Sequence, residues 1–207
     1  STDDGLTWAS IAVTNAPTQA ATPINGGIIA GHSGRYAGQF FSGAPYLTTS
    51  ADGITWALAT ATPQPMTNGG CIAWTGTHYV TGRATTVSDI YRSTDGVAWA
   101  TVTLTSMGTA IASATSNGAG TVVVTGQNGA VQVSTNHGAT FASASASSGS
   151  RATYTGSVFF LPILTPAGYA ISATGLPGSW VYSRQILTGS EKYVAYGSVL
   201  INQLVGG

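Results

Sequence analysis

The sequence predicts an all-β chain built by repeating one unit, and three observations carry that prediction. A short phrase recurs: Ser1-Thr-Asp-Asp-Gly-Leu-Thr-Trp8, Thr49-Ser-Ala-Asp-Gly-Ile-Thr-Trp56, Arg92-Ser-Thr-Asp-Gly-Val-Ala-Trp99 and Ser134-Thr-Asn-His-Gly-Ala-Thr-Phe141, with a worn copy at Ser172-Ala-Thr-Gly-Leu-Pro-Gly-Ser-Trp180. A second phrase keeps step with it, Asn25-Gly-Gly-Ile-Ile-Ala30 returning as Asn68-Gly-Gly-Cys-Ile-Ala73 and more weakly at 107–112 and 148–153. Between the phrases lie runs of Thr, Val, Ile, Tyr and Trp punctuated by Gly, Asn and Asp, and no apolar stripe of helical period. Almost no helix is expected.

Each unit begins with the Gly-Gly phrase, read as a first strand. A Gly-containing turn leads to a second strand: Arg35 to Phe41, His78 to Arg83, Thr121 to Gln127, Ser157 to Ile163 and Lys192 to Ile201. The recurring phrase then joins a third strand to a fourth. In the second unit the four are Cys71–Thr75, His78–Ala84, Ile90–Thr94 and Val97–Leu104. Asp52-Gly53 and Asp95-Gly96 suit the tight turn between the last two, because Gly accepts positive φ without a Cβ clash.

Four strands in a unit of roughly 40 residues describe the blade of a β-propeller. Five copies predict five blades of four antiparallel strands: 26–62, 68–104, 108–146, 149–186, and 190–207 completed by 1–14. In that last blade the N- and C-terminal strands would pair and close the ring, removing exposed edges. First strands crowd the axis, consistent with the small Gly27, Ala30, Gly70, Ala73, Ala110 and Ala112. The phrase aromatics at 8, 56, 99, 141 and 180 are expected to wedge between neighbouring blades. Between Trp180 and Gly189 the chain is too short for both an outer strand and the next inner one, so one of the two is missing.

Composition narrows the function. Charged residues make up 6% of the 207, with six Lys+Arg against six Asp+Glu. A net charge of zero lacks the long-range attraction that nucleic-acid or anionic-membrane binding uses. No apolar run approaches the roughly 20 residues of a membrane-spanning helix, and no signal peptide is read at the start. The single Cys71 excludes an intramolecular disulfide. A single soluble domain with neither nucleic-acid binding nor membrane insertion is expected.

The phrase Ser/Thr-x-Asp-x-Gly-x-Thr-Trp resembles the Asp box, or BNR repeat, of sialidase-like β-propellers. Residues 1–8 match it in full, and 134–141 match with Asn136 and Phe141 substituted. The copies at 49–56 and 92–99 keep Gly-x-x-Trp but set the acid beside the Gly. The resemblance implies a hairpin between third and outer strands in which the acid accepts backbone N–H groups. Asp3, Asp52, Asp95 and Asn136 are therefore expected to be scaffold.

The same resemblance raises glycoside hydrolysis, which needs an arginine cluster, a Tyr/Glu nucleophile pair and an acid. Outside the phrases the carboxylates are Asp89, expected on a loop, and Glu191, beside Lys192 in a turn. No catalytic residues are assigned. His32, His78 and His137 fall in different units without metal-ligand spacing, so neither a metal nor a cofactor is expected. His137, at the variable position of its phrase, should be exposed, and Cys71 should be a buried, inert thiol.

Ligand contacts are expected on the rim opposite the phrase turns, where loops on a rigid frame carry neutral amides. Gln39, Arg83 and Gln127 follow second-strand ends, Asn68 precedes a first strand, and Arg151 and Arg184 hold inner positions facing the channel. Trp74 and Tyr79 supply rings, a set suited to sugars, which offer hydroxyls and an apolar face. The expected function is a non-enzymatic module that binds a surface glycan or other receptor, in a phage virion appendage or a secreted adhesin. Its location would be the virion surface or extracellular, and its partners a receptor and neighbouring surface proteins. The alternatives are a structural capsid-decoration or tail component without ligand and, further off, a sialidase-like hydrolase.

Overall fold

A computed structural model of the chain describes residues 27–32, 34–40, 46–59, 71–82, 89–104, 107–147, 151–164 and 167–183. These residues contain strands and turns and no helix. The first sheet is β1 (Gly27–His32), β2 (Arg35–Phe40), β3 (Tyr46–Ser50) and β4 (Ala57–Leu58). The second is β5 (Cys71–Trp74), β6 (Tyr79–Gly82), β7 (Asp89–Ser93) and β8 (Ala100–Thr103). The third comprises β9 (Ile111–Ser116), β10 (Val122–Gly126), β11 (Ala130–Ser134) and β12 (Ala142–Ser147). The fourth comprises β13 (Thr153–Tyr154), β14 (Phe159–Leu164), β15 (Ala167–Ser172) and β16 (Val181–Ser183). Every sheet is an antiparallel meander in chain order. The units at 190–207 and 1–14, and with them the ring closure, lie outside the described residues.

Two expectations need correction. Val97–Trp99 belong to the turn and not to the fourth strand, which starts at Ala100, because Asp95 ties up the N–H groups of Val97 and Ala98. Asp89 opens β7 opposite Thr103 and is not on a loop. The short stretch after Trp180 also resolves: β16 follows at once, so the fourth sheet keeps its outer strand in three residues.

The apolar cores lie between sheets, not within them. Ala37 of the first sheet meets Ile72 and Tyr79 of the second. Val80 and Ile90 of the second meet Ile111, Val122 and Val124 of the third. Val123, Val131 and Val133 of the third meet Phe159, Leu161 and Trp180 of the fourth. Middle strands are covered on both faces, which is why β6 and β10 are buried at every residue, whereas the outer strand β8 is mostly exposed.

The phrase turns are built alike. Ser50 Oγ accepts the Gly53 N–H at 2.8 Å, and Asp52 Oδ1 accepts those of Ile54 and Thr55 at 2.8 and 2.7 Å. The Thr55 and Ile54 N–H groups hold the Asp52 carboxyl at about 2, against an ordinary 3.8. Ser93, Asp95 and Gly96 repeat the pattern. Burial works to raise the Asp95 carboxyl, but the Val97 and Ala98 N–H groups outweigh it and leave it below the ordinary value. Asn136 substitutes its amide oxygen, accepting from Thr140 N–H at 3.0 Å. In the worn copy Ser172 Oγ still accepts from Gly175 at 2.7 Å, and the Thr174 hydroxyl replaces the carboxylate as acceptor for Leu176 N–H.

Three phrase glycines, Gly96, Gly138 and Gly175, also set a seam, whereas Gly53 faces Tyr36 of its own sheet. A Cβ on Gly96 would lie 3.2 Å from Ala37 Cβ, one on Gly138 2.7 Å from Val80 Cγ2, and one on Gly175 2.9 Å from Val123 Cγ2. All three glycines have positive φ, and their targets occupy equivalent places on β2, β6 and β10, opposite the residue that precedes the phrase serine. The aromatic follows: the Trp99 ring packs on Leu47, Ala59 and Ala37, while its Nε1 donates to Gly96 O at 3.0 Å. In the longer turn before Trp180 the indole Nε1 is buried and finds no acceptor among the described residues.

Candidate functional site

A cavity of about 760 Å³ opens between the first strands of the four sheets. β1 contributes Gly31, β5 Trp74, β9 Thr115 and Ser116, and β13 Thr153 and Tyr154. None of the described residues lining it is charged. Small residues make the space: Ala30, Ala73 and Ala114 also line it.

The two large rings are held from the second strands. Trp74 pairs in register with Tyr79, their rings 4.7 Å apart and tilted by 57°, and Tyr154 pairs with Phe159 at 4.9 Å and 50°. In the first sheet the equivalent pair is Gly31 and Tyr36, the Tyr36 ring lying where a Cβ on Gly31 would stand. His32 stacks on Trp74 at 4.6 Å and 14°, joining the first sheet to the second at the cavity. The Tyr154 hydroxyl donates to Gly156 O at 3.1 Å, and the Ser116 hydroxyl to Thr121 O at 2.8 Å. The site therefore combines aromatic surface with hydroxyls and no net charge, which suits neutral ligands with both apolar faces and hydroxyls.

No protein-family model and no curated protein sequence matches the chain. Among solved structures it is similar to YCF48 from Cyanidioschyzon merolae, 12% identical with a TM-score of 0.52 over 75% of this chain and 57% of that one. It is similar to YCF48 bound to D1 peptide at 14% identity and a TM-score of 0.50, over 72% and 51% of the two chains. An ancestral GH74 enzyme matches at 17% identity and a TM-score of 0.52, over 77% of this chain and 25% of the enzyme. The chain thus spans little more than half of the first two proteins and a quarter of the third. The fold is a β-propeller.

Each sheet is a blade of the propeller, and the cavity lies where the blades converge. The residues expected to bind ligand do not gather there as a set. Trp74 lines the cavity, next to the turns that connect first and second strands. Gln127 is exposed beyond the far end of β10, its N–H bonded to Ala110 O, and Arg151 is exposed just before β13. Both sit at the opposite ends of their strands from Trp74. Gln39 lies in β2 opposite Leu47, and Asn68, Arg83 and Arg184 fall outside the described residues.

Tyr79 corrects the expectation. Its ring is buried in the seam between first and second blades, and its hydroxyl donates to Arg35 O at 2.7 Å, so it supports Trp74 and offers no face to a ligand. His137 is another correction, half-buried against the second blade instead of exposed, with His78 only 6.0 Å away. Cys71 is buried, as expected, and burial pushes its thiol up to about 12, although the Gly82 backbone N–H and the Arg151 charge pull the other way.

Tyr154, Thr115, Ser116 and Thr153 were not singled out from the sequence. One signal was available for Tyr154: it stands before Phe159 at the spacing by which Trp74 stands before Tyr79. A smaller hollow of about 270 Å³ beside the phrase turn at 49–56 is lined by Arg35 and Asp52, both engaged in turn contacts.

Proposed function

We propose that this chain is a non-enzymatic recognition module of the Asp-box type, a five-bladed ring that binds a neutral glycan in its central cavity. The setting would be a phage virion appendage or a secreted adhesin. The observation that supports this most is the uncharged cavity, with Trp74 and Tyr154 held from behind by Tyr79 and Phe159 and hydroxyls from Thr115, Ser116 and Thr153 beside them. Sugar rings stack on such aromatic faces and exchange water for hydroxyl contacts. The fold alone chooses nothing, since one frame serves a GH74 enzyme and a protein captured with D1 peptide. Against hydrolysis, Asp52 and Asp95 are each committed to two backbone N–H groups in phrase turns. Binding of the isolated chain to a glycan array, followed by titration of any hit, tests the reading. Trp74→Ala should weaken binding at least about tenfold, a loss of about 1.4 kcal/mol, measured on protein that still melts cooperatively. Silence across the array, with ordered protein contacts in an intact particle, would replace this reading with a structural virion role.

A further inference from the structure

At the rim next to the cavity, the second and third blades are joined by a cluster that the sequence places 62 residues apart. The turn after β5 supplies Thr75, Thr77 and His78, and β7 supplies Arg92. The third blade supplies Gly120, from the turn after β9, and His137, from its phrase turn. Gly120 N–H donates to Thr75 O at 2.9 Å, and His137 N–H to Gly120 O at 2.9 Å. His137 Nδ1 lies 3.1 Å from Thr75 O and 3.3 Å from Thr75 Oγ1; the shorter contact is to an atom that only accepts, which favours a hydrogen on this nitrogen. Arg92 Nε donates back across the seam to His137 O at 2.8 Å.

His78 sits behind that last bond. Its Nδ1 is 2.7 Å from Thr77 Oγ1 and 3.4 Å from Arg92 Nη2. The Thr77 hydroxyl can donate to Nδ1 or accept from it, but a guanidinium only donates, so the Arg92 contact favours an accepting Nδ1 with the ring hydrogen of the neutral form on Nε2. A second proton would arrive on Nδ1. The Thr77 hydroxyl can turn and accept it, but Arg92 cannot. The protonated ring then repels the guanidinium, which weakens the hold of Arg92 Nε on His137 O.

We infer that His78 is the acid-sensitive element of a latch between the second and third blades, closed while its ring is neutral and loosened when the ring takes up a proton. Three features of its surroundings set the direction. Burial disfavours the charged ring, and the positive Arg92 and the neighbouring His137 disfavour it further, so its proton affinity lies below the ordinary 6.5. The groups that face it are Arg92 from β7 and His137 from the third blade, while the Thr75–Thr77 turn and the Gly118–Gly120 turn bring hydroxyl and backbone groups. A folded-state value below the unfolded one means that the latch is intact above 6.5 and weakens as pH falls through and below it.

The latch ties together the turns that follow Trp74 and Ser116, two cavity-lining residues. Resting on the proposed cavity function, it would make ligand release acid-dependent, but its own test needs no ligand. The test is hydrogen exchange of the Gly120 amide, the seam-spanning donor, at pH 7.5 and 5.0, corrected for intrinsic rates. In the intact chain, protection at Gly120 should fall by about threefold or more at pH 5.0, with the Val123 and Val124 amides within β10 unchanged. His78→Gln keeps an acceptor for Arg92 but cannot titrate, and should abolish that pH step. Equal protection of Gly120 at both pH values in the wild type, or an undiminished step in His78→Gln, would overturn the latch. Loss of glycan binding without either result would bear only on the cavity reading.

Discussion

Gly138→Ala against Gly178→Ala isolates what the phrase glycine contributes to a seam. The two glycines share a backbone, with φ of 80° and 79°. A Cβ on Gly178 meets nothing within 4 Å, whereas on Gly138 it stands 2.7 Å from Val80 Cγ2. Placing an L residue in the left-handed region costs about 1–2 kcal/mol, and both variants incur it. Only Gly138→Ala must also displace a fully buried, β-branched side chain of the preceding blade, which cannot swing away within its rotamer wells. Overpacking of that kind costs about 1–3 kcal/mol more. Urea unfolding with a shared slope of about 2 kcal/mol per M would separate the midpoints by about 0.5–1.5 M. The double variant Gly138→Ala/Val80→Ala supplies the control. With Val80 Cγ2 gone, the Gly138→Ala cost should shrink by about 1 kcal/mol or more, because residues in contact couple. Equal midpoints for the two single variants, or a cycle with no coupling, would refute the claim that close approach at this seam requires glycine.

Trp99→Ala should cost about 3–5 kcal/mol, since it empties the space between Leu47, Ala59 and Ala37 and removes the bond to Gly96 O; a thermal melt within a degree of wild type would put that ring outside the seam. Asp52 has a folded value of about 2 against an ordinary 3.8, so its carboxylate stabilises the fold above 3.8 and loses that contribution as pH falls toward 2. Asp52→Asn should therefore melt below wild type at pH 5 and converge with it near pH 2; a gap of unchanged size would sink the assignment.

What the sequence made legible was local, and what it hid was the partner across a seam. In the second unit the strand ends followed from Gly, Asn and Asp at the joints and runs of Thr, Val, Ile, Tyr and Trp between them, and three of the four strands fell within two residues of expectation at each end. The fourth strand was read too early because Val97 and Trp99 look like strand residues, yet the Asp95 side chain competes for the backbone there. His137 is polar, follows an Asn and precedes a Gly, all signs of exposure, and only the arrival of Thr75 from another blade covers it. Tyr79 and Trp74 looked equivalent as candidate ligands. Register sets them side by side on one face of the sheet, and strand order separates them: the first strand borders the cavity, while the second lies covered between neighbouring blades.

That difference explains where chemistry can vary in this frame. The phrase turns fix one rim through backbone bonds, and the seams fill with Val, Ile and a wedge aromatic, so neither can change without loss of stability. The inward sides of the first strands carry much less of that burden, facing a cavity of about 760 Å³ instead of another sheet. At their turn-side ends the chain has Gly31 in the first blade, Trp74 in the second, Ser116 in the third and Tyr154 in the fourth. Four such different side chains stand on equivalent strands of a repeat otherwise held alike, down to Ala37, Val80 and Val123 under their glycines, so the cavity wall is where this frame tolerates variation. If the cavity binds glycan as proposed, Tyr154→Thr should weaken that binding about tenfold or more in titration on protein that still folds, and unchanged affinity would remove Tyr154 from the proposed site.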